Sequence, residues 1–160
     1  MKKIILLLTS LLLSCNDEQD CCSQIPGNDT LYEFSIINNN GEDLLDENTQ
    51  DTYNTNSIRL YDIINGEEKL IYFQNGDYPY GYSIIKRDIL YLIRLGFNES
   101  NLKVSGIVEW NPNKRDTISL EMVQQSEHVK RLIKIKYNGD VVWDEETASN
   151  TDNRYFQIVK

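Results

Sequence analysis

The chain has 160 residues, with 25 acidic against 16 basic side chains, a formal net charge of −9 and one histidine. Such a balance repels phosphate backbones and argues against nucleic acid as a partner, while the length suits one domain. Ten tyrosines, with many Ile, Val and Leu against very few Ala, favour strands over helices.

Met1-Lys2-Lys3 places two positive charges ahead of Ile4 to Leu13, an apolar run broken only by Thr9 and Ser10. Charged then greasy is the order of an export signal. At about ten residues the run is too short to span a bilayer, which takes about 20. It ends in Leu12-Leu13-Ser14-Cys15, which resembles the lipobox of bacterial lipoproteins. The resemblance implies that the signal covers residues 1–14, that it is cut before Cys15, and that the Cys15 sulfur carries a diacylglycerol. Acyl chains at about 0.8 kcal/mol per buried CH2 need two or more copies to hold a protein durably, so Cys15 is expected to be an anchor to the membrane. Removing residues 1–14 removes two lysines and no acid, which moves the net charge from −9 to −11.

Asn16-Asp17-Glu18-Gln19-Asp20 is similar to the acidic export signal that follows the lipidated cysteine in Bacteroidota lipoproteins of the outer leaflet. This implies an outer-membrane protein facing the cell exterior; the alternatives are the periplasmic face, or a plain solvated spacer. Cys21 and Cys22 are adjacent, so their α-carbons lie about 3.8 Å apart. That is below the disulfide range of about 4.4 to 6.8 Å, and no further cysteine exists to pair with either. Residues 15–29, with Pro26-Gly27 and no periodicity, read as a flexible tether, and the domain as residues 30–160.

From Thr30 the pattern changes to alternation, with Tyr32, Phe34 and Ile36 pointing one way and Glu33 and Ser35 the other. Four Asn-Gly pairs follow, at 40–41, 65–66, 75–76 and 138–139. Asn-Gly favours the tight type I′ turn of a hairpin. The second joins Ser57–Ile64 to Lys69–Phe73, and the fourth joins Arg131–Tyr137 to Val141–Trp143. Further strands are expected at Ile84–Leu95, Leu102–Trp110, Thr117–Val123 and Phe156–Val159, with Asn111-Pro112-Asn113 as a turn and a loop over Val123–Arg131. Short strands with turns between them predict an all-β fold, an antiparallel β-sandwich of about eight or nine strands. An immunoglobulin-like form is the nearest kind, without the Cys…Trp…Cys mark of antibody domains.

The constellations that carry chemistry are sparse. His128 lies in Gln124-Gln125-Ser126-Glu127-His128 between strands, with no nucleophile-elbow glycine pattern to serve a triad. Zinc needs three or four ligands, and no cofactor is implied. Asp43, Asp46, Glu47 and Asp51, with Asn48 and Asn54, form an acidic loop whose spacing fails the EF-hand pattern. Gly76-Asp77-Tyr78-Pro79-Tyr80-Gly81-Tyr82 is the most suggestive segment, because three tyrosines around a proline overfill a short turn. Tyr78, Tyr80 and Tyr82 are candidates for stacking on sugar faces or filling a partner's pockets. Trp110 and Trp143 read as core or edge residues. Asp29-Thr30-Leu31 and Asp116-Thr117-Ile118 resemble the O-glycosylation acceptor of Bacteroidota proteins, which makes Thr30 and Thr117 candidate modified residues.

The layout of lipobox, acidic tether and one β-sandwich resembles the small surface lipoproteins of gut Bacteroidota, and that resemblance brings no catalytic residues. The tyrosine loop and the lack of a nucleophile lead instead to the expectation of a surface lipoprotein acting as a non-catalytic binding or adhesion module for glycan or protein. A structural subunit of the envelope or a protein inhibitor is the alternative, and a glycan hydrolase using paired acids such as Asp43 and Asp46 comes third.

Overall fold

The computed structural model describes residues 29–149 and 154–160, so Cys15, Cys21 and Cys22 lie outside the described residues. Ten strands form two sheets. They are β1 (Glu33–Ile37), β2 (Arg59–Ile64), β3 (Glu67–Leu70), β4 (Tyr82–Arg87), β5 (Leu90–Leu95), β6 (Lys103–Asn111), β7 (Lys114–Ser126), β8 (Val129–Tyr137), β9 (Asp140–Asp144) and β10 (Tyr155–Val159). One sheet runs β10-β1-β5-β4, the other β3-β2-β6-β7-β8-β9. Every pairing is antiparallel except that of β1 with β10.

The expected β-sandwich is therefore present, with one strand more than the sequence pattern marks. Ile84–Leu95 reads as one continuous strand, but Arg87 pairs with Leu90 and the chain reverses at Asp88-Ile89. Asp88 takes φ +54°, a conformation aspartate tolerates better than most residues, and neither glycine nor proline marks the turn. The stretch Val123–Arg131, expected as a loop, is mostly strand. β7 continues to Ser126 and β8 begins at Val129, leaving Glu127-His128 as the turn. The Asn-Gly pairs at 65–66 and 138–139 both have positive φ at each residue, the type I′ signature, and close β2-β3 and β8-β9.

Across the first seven strands the order is β4-β5-β1 in one sheet and β3-β2-β6-β7 in the other. This is the D-E-B and C′-C-F-G arrangement of the immunoglobulin Greek key. The departures are at the margins. β10 takes the place beside the B-like strand but runs parallel to it, and β8 and β9 extend the second sheet beyond the G-like strand.

The core follows from the alternation. Phe34 of β1 stacks on Phe156 of β10 at 4.9 Å, meets Trp110 of β6 edge-on at 6.4 Å, and Trp110 stacks on Tyr53 at 5.1 Å. Trp110 and Trp143 are both buried. The outward face of β1 is buried too, although its residues are polar. Glu33 is covered by Arg87 (2.6 Å) and Arg94 (2.5 Å), and Ser35 hydrogen-bonds with Tyr155 (2.8 Å) and Gln157 (3.1 Å).

The fold also takes in Asp29, the last residue of the expected tether. Its amide donates to the Lys130 carbonyl, its carbonyl accepts from the Leu132 amide, and its carboxylate receives both terminal nitrogens of Arg154 at 2.6 and 2.7 Å. That guanidinium holds the Asp29 carboxyl below its ordinary range. The ordered domain therefore begins no later than Asp29.

Candidate functional site

Between the end of β3 and the start of β4 the chain forms a pinned loop. The Phe73 amide donates to the Pro79 carbonyl, Gly76 to Phe73, and Gly81 to Tyr78. Gly81 has φ +74°, and a Cβ there would lie 2.7 Å from Ile71 Cγ2; only glycine lets the loop re-enter the sheet against Ile71. Its carbonyl then accepts from the Gly96 amide at 2.7 Å.

This loop and the end of β5 bound a groove of about 600 Å³. Leu31, Phe73 and Tyr78 stand on its rim, each more than half exposed. Leu95 and Phe97 are buried and line it from below. Phe97 lies flat against Gly106 of β6, where a Cβ would come within 2.1 Å of its ring, so the floor depends on that glycine. The polar groups are Asp77, Ser83 and Arg94. Arg94 is engaged by Glu33, whereas the Asp77 carboxylate and Ser83 hydroxyl have no partner among the described residues.

The three tyrosines singled out by the sequence take different places. Tyr78 is 59% exposed and on the groove. Tyr80 turns to the other side, where the Arg59 guanidinium sits 3.9 Å from its ring centre and Tyr72 packs at 5.5 Å. Tyr82 is half-buried against the core, and its hydroxyl donates to the Thr55 carbonyl at 2.5 Å. Burial pushes the Tyr82 phenol up, despite the opposing charge of Arg59. The groove therefore draws one of its rim aromatics, Tyr78, from the tyrosine segment and the other, Phe73, from the stretch between the end of β3 and that segment. Phe73 is the last residue of the expected strand Lys69–Phe73, where alternation gives no sign of exposure, but β3 ends at Leu70. Leu31 was hidden for another reason: only the fold brings it from the domain's start to the β4-β5 edge.

The acidic loop is largely consumed by its own architecture. The buried Asp43 carboxylate accepts from the Leu45 amide (2.8 Å) and the Tyr91 amide (2.5 Å). Asp46 accepts from the backbone and side chain of Asn48, and those hydrogen bonds hold its carboxyl below the ordinary range. Among the described residues no three His, Cys, Asp or Glu side chains are grouped to hold a metal. His128 is exposed in the β7-β8 turn, 4.0 Å from Glu127. Thr30 is 8% exposed, which shields its hydroxyl in the folded domain, while Thr117 is exposed on β7.

The acid of the Asp116-Thr117-Ile118 motif has a part of its own. Asp116 is buried and receives Trp110 Nε1 (2.5 Å), the Tyr137 hydroxyl (2.7 Å), Asn138 Nδ2 (2.7 Å) and the Lys160 ammonium. Burial pushes its carboxyl up, but the hydrogen bonds from Asn138, Lys160, Tyr137 and Trp110 together outweigh that and hold it below its ordinary value. Burial and the same carboxylate drive the Tyr137 phenol far up.

No family model, no curated protein and no solved structure matches this chain.

Proposed function

We propose that the domain is a non-catalytic binding module of a lipid-anchored outer-membrane protein facing the cell exterior, and that it holds a glycan in the groove between Tyr78 and Phe73. One observation carries the reading: two aromatic rings and Leu31 stand exposed on the rim of a pinned groove whose carboxylate and hydroxyl, on Asp77 and Ser83, are unpartnered. Aromatic faces over an apolar floor, with a few convergent polar groups, suit the ring faces and hydroxyls of sugars. The polar groups most suited to acid chemistry, Asp43 and Asp46, are spent on backbone and side-chain donors of their own loop and, for Asp43, on the Tyr91 amide.

The test is a glycan array probed with the immobilised domain. Phe73→Ala or Tyr78→Ala abolishes the signal, while Tyr80→Ala, off the groove, leaves it. Binding unchanged in both groove variants overturns the assignment.

A protein partner is the second reading, favoured by the Tyr72, Tyr80 and Arg59 cluster beside exposed Leu70. Tyrosine and arginine are the residues enriched at interface hot spots. Tyr72→Ala with Tyr80→Ala would then release a co-purifying envelope protein, and a glycan-array signal would be unaffected.

A further inference from the structure

A second concavity of about 510 Å³ lies between β4 and β5 on one side, through Ile84 and Tyr91, and the loop running from Leu45 to Asn56 on the other. That loop has no regular structure apart from the short 3-10 turn Thr55–Ser57, yet it is held at many points. The Tyr53 amide and the Thr52 hydroxyl both donate to the Leu44 carbonyl, at 2.8 and 2.9 Å. Asn54 caps the turn by accepting from the Asn56 amide at 3.0 Å. Asp43 ties the loop to Tyr91, and Tyr82 ties it to β4 through the Thr55 carbonyl.

Three side chains on this fixed wall are left over. The Glu47 carboxylate, the Thr55 hydroxyl and the Asn56 carboxamide line the cavity and have no hydrogen-bond partner among the described residues. Thr52 and Asn54 also line it, but the Thr52 hydroxyl and the Asn54 side-chain oxygen are used within the loop. The rest of the lining is apolar or aromatic, with Leu45 and Tyr53 buried and Ile84 and Tyr91 half-buried. An acceptor-only carboxylate, a carboxamide that both donates and accepts, and a hydroxyl match the alternating donors and acceptors of vicinal sugar hydroxyls. The apolar lining matches a pyranose face. An anionic ligand would meet Glu47, and a dication would find a single free carboxylate there, since Asp43 and Asp46 are occupied.

We propose that this cavity is a second subsite, for one neutral sugar residue, a step that rests on reading the first groove as a glycan site. Tyr82 joins the two, because its ring lines the groove while its hydroxyl holds the wall of the second cavity. A glycan of more than one residue then engages both, and the gain in affinity comes from linkage.

The experiment is a titration of the ¹⁵N-labelled domain with methyl glucoside, methyl galactoside, methyl mannoside and N-acetylglucosamine, followed by amide shifts. For at least one of these sugars the amides of Glu47, Thr55, Asn56 and Tyr91 shift, and Glu47→Gln with Asn56→Ala weakens that response about tenfold or more, as loss of two hydrogen bonds requires. Neither side chain makes an internal bond, so the variant retains wild-type dispersion and its own groove response at Asp77, Tyr78 and Gly96. Shifts at the groove alone overturn the second subsite and leave the first reading standing. Shifts around Glu47 and Asn56 alone support the cavity as a sugar site and sink the groove assignment, and no shift with any of the four sugars overturns both.

Discussion

Replacing Asp116 by Asn tests the internal logic of the fold most directly. The carboxylate accepts from four donors, and two of these, on Trp110 and Tyr137, belong to buried side chains, while Asn138 is exposed. Asparagine keeps one acceptor oxygen and turns an NH2 toward donors. A buried donor left unsatisfied costs about 1–3 kcal/mol, and the Lys160 ammonium loses the counter-charge it meets among the described residues, although it is one-quarter exposed and can turn to water. Trp110, Tyr137 and Lys160 all bond one carboxylate oxygen, which the asparagine oxygen can replace while its NH2 faces Asn138. Loss of the charge then weakens those three bonds by about 1 kcal/mol each, about 3 kcal/mol in all, a large share of the roughly 5–15 kcal/mol that holds a domain folded. In a thermal melt this is a drop of about 10 °C. The pH profile carries the sign. Because the folded carboxyl titrates below its ordinary value of 3.8, its contribution is complete above that value and is lost as pH falls through the lower, folded one. Wild type therefore loses this stability only in strong acid, and the variant lacks it at every pH. Equal urea midpoints for the two proteins at pH 7 would refute the reasoning.

Gly106→Ala drives a methyl into the Phe97 ring; the expected cost is about 1–3 kcal/mol of stability, and because Phe97 floors the groove, glycan binding weakens in the fraction that still folds, measured by urea titration and by array. Gly139→Ala forces alanine to φ +91° and costs about 1 kcal/mol with no effect on binding, which a melt and an array run together will check. Cys15→Ser removes the sulfur that carries the proposed anchor, so labelled palmitate is not incorporated and the protein leaves the membrane fraction; retention of both would remove the lipoprotein reading. Thr117→Ala removes the exposed acceptor hydroxyl, and if the residue is glycosylated in its native host the mass falls by one glycan, whereas Thr30→Ala leaves the mass otherwise unchanged.

The fold was legible wherever one face of a strand is wet. Leu102 to Trp110 and Ile118 to Met122 alternate because β6 and β7 lie with one face on the core and one in water. The two Asn-Gly hairpins were legible because glycine and asparagine are the residues that accept their backbone angles. The β4-β5 turn was not, because Asp88 adopts a positive φ without a glycine beside it and apolar residues continue on both sides. The β7-β8 turn was hidden by Gln124, Gln125, Ser126 and Glu127, a polar run that resembles a loop and is in fact the exposed end of a long hairpin. The groove was half legible. A surplus of tyrosine pointed to the loop that borders the groove, but only the third dimension sends Tyr80 to Arg59 and Tyr82 to Thr55, and brings Leu31 to the same groove as Phe73. The parallel pairing of β10 with β1 has no local signal at all, since alternation in Phe156, Gln157 and Ile158 is the same for either direction.

That parallel pair has a consequence for a protein held by its N-terminal end. Asp29 is where the described domain begins, and its carboxylate is fixed to Arg154 while its backbone is fixed to β8. Arg154 immediately precedes β10, and at the far end of the same strand Lys160 reaches Asp116 while its amide donates to Ile37 at the end of β1. Because β1 and β10 run in the same direction, both strands start at the Asp29–Arg154 pair and both finish near Lys160. A load applied through residue 28 would fall first on the Asp29 contacts and then on β1, which β10 holds at five paired positions from Glu33 to Ile37. Under the proposed anchorage through Cys15, the Asp29 contacts with β8 and Arg154 are where the tether joins the fold.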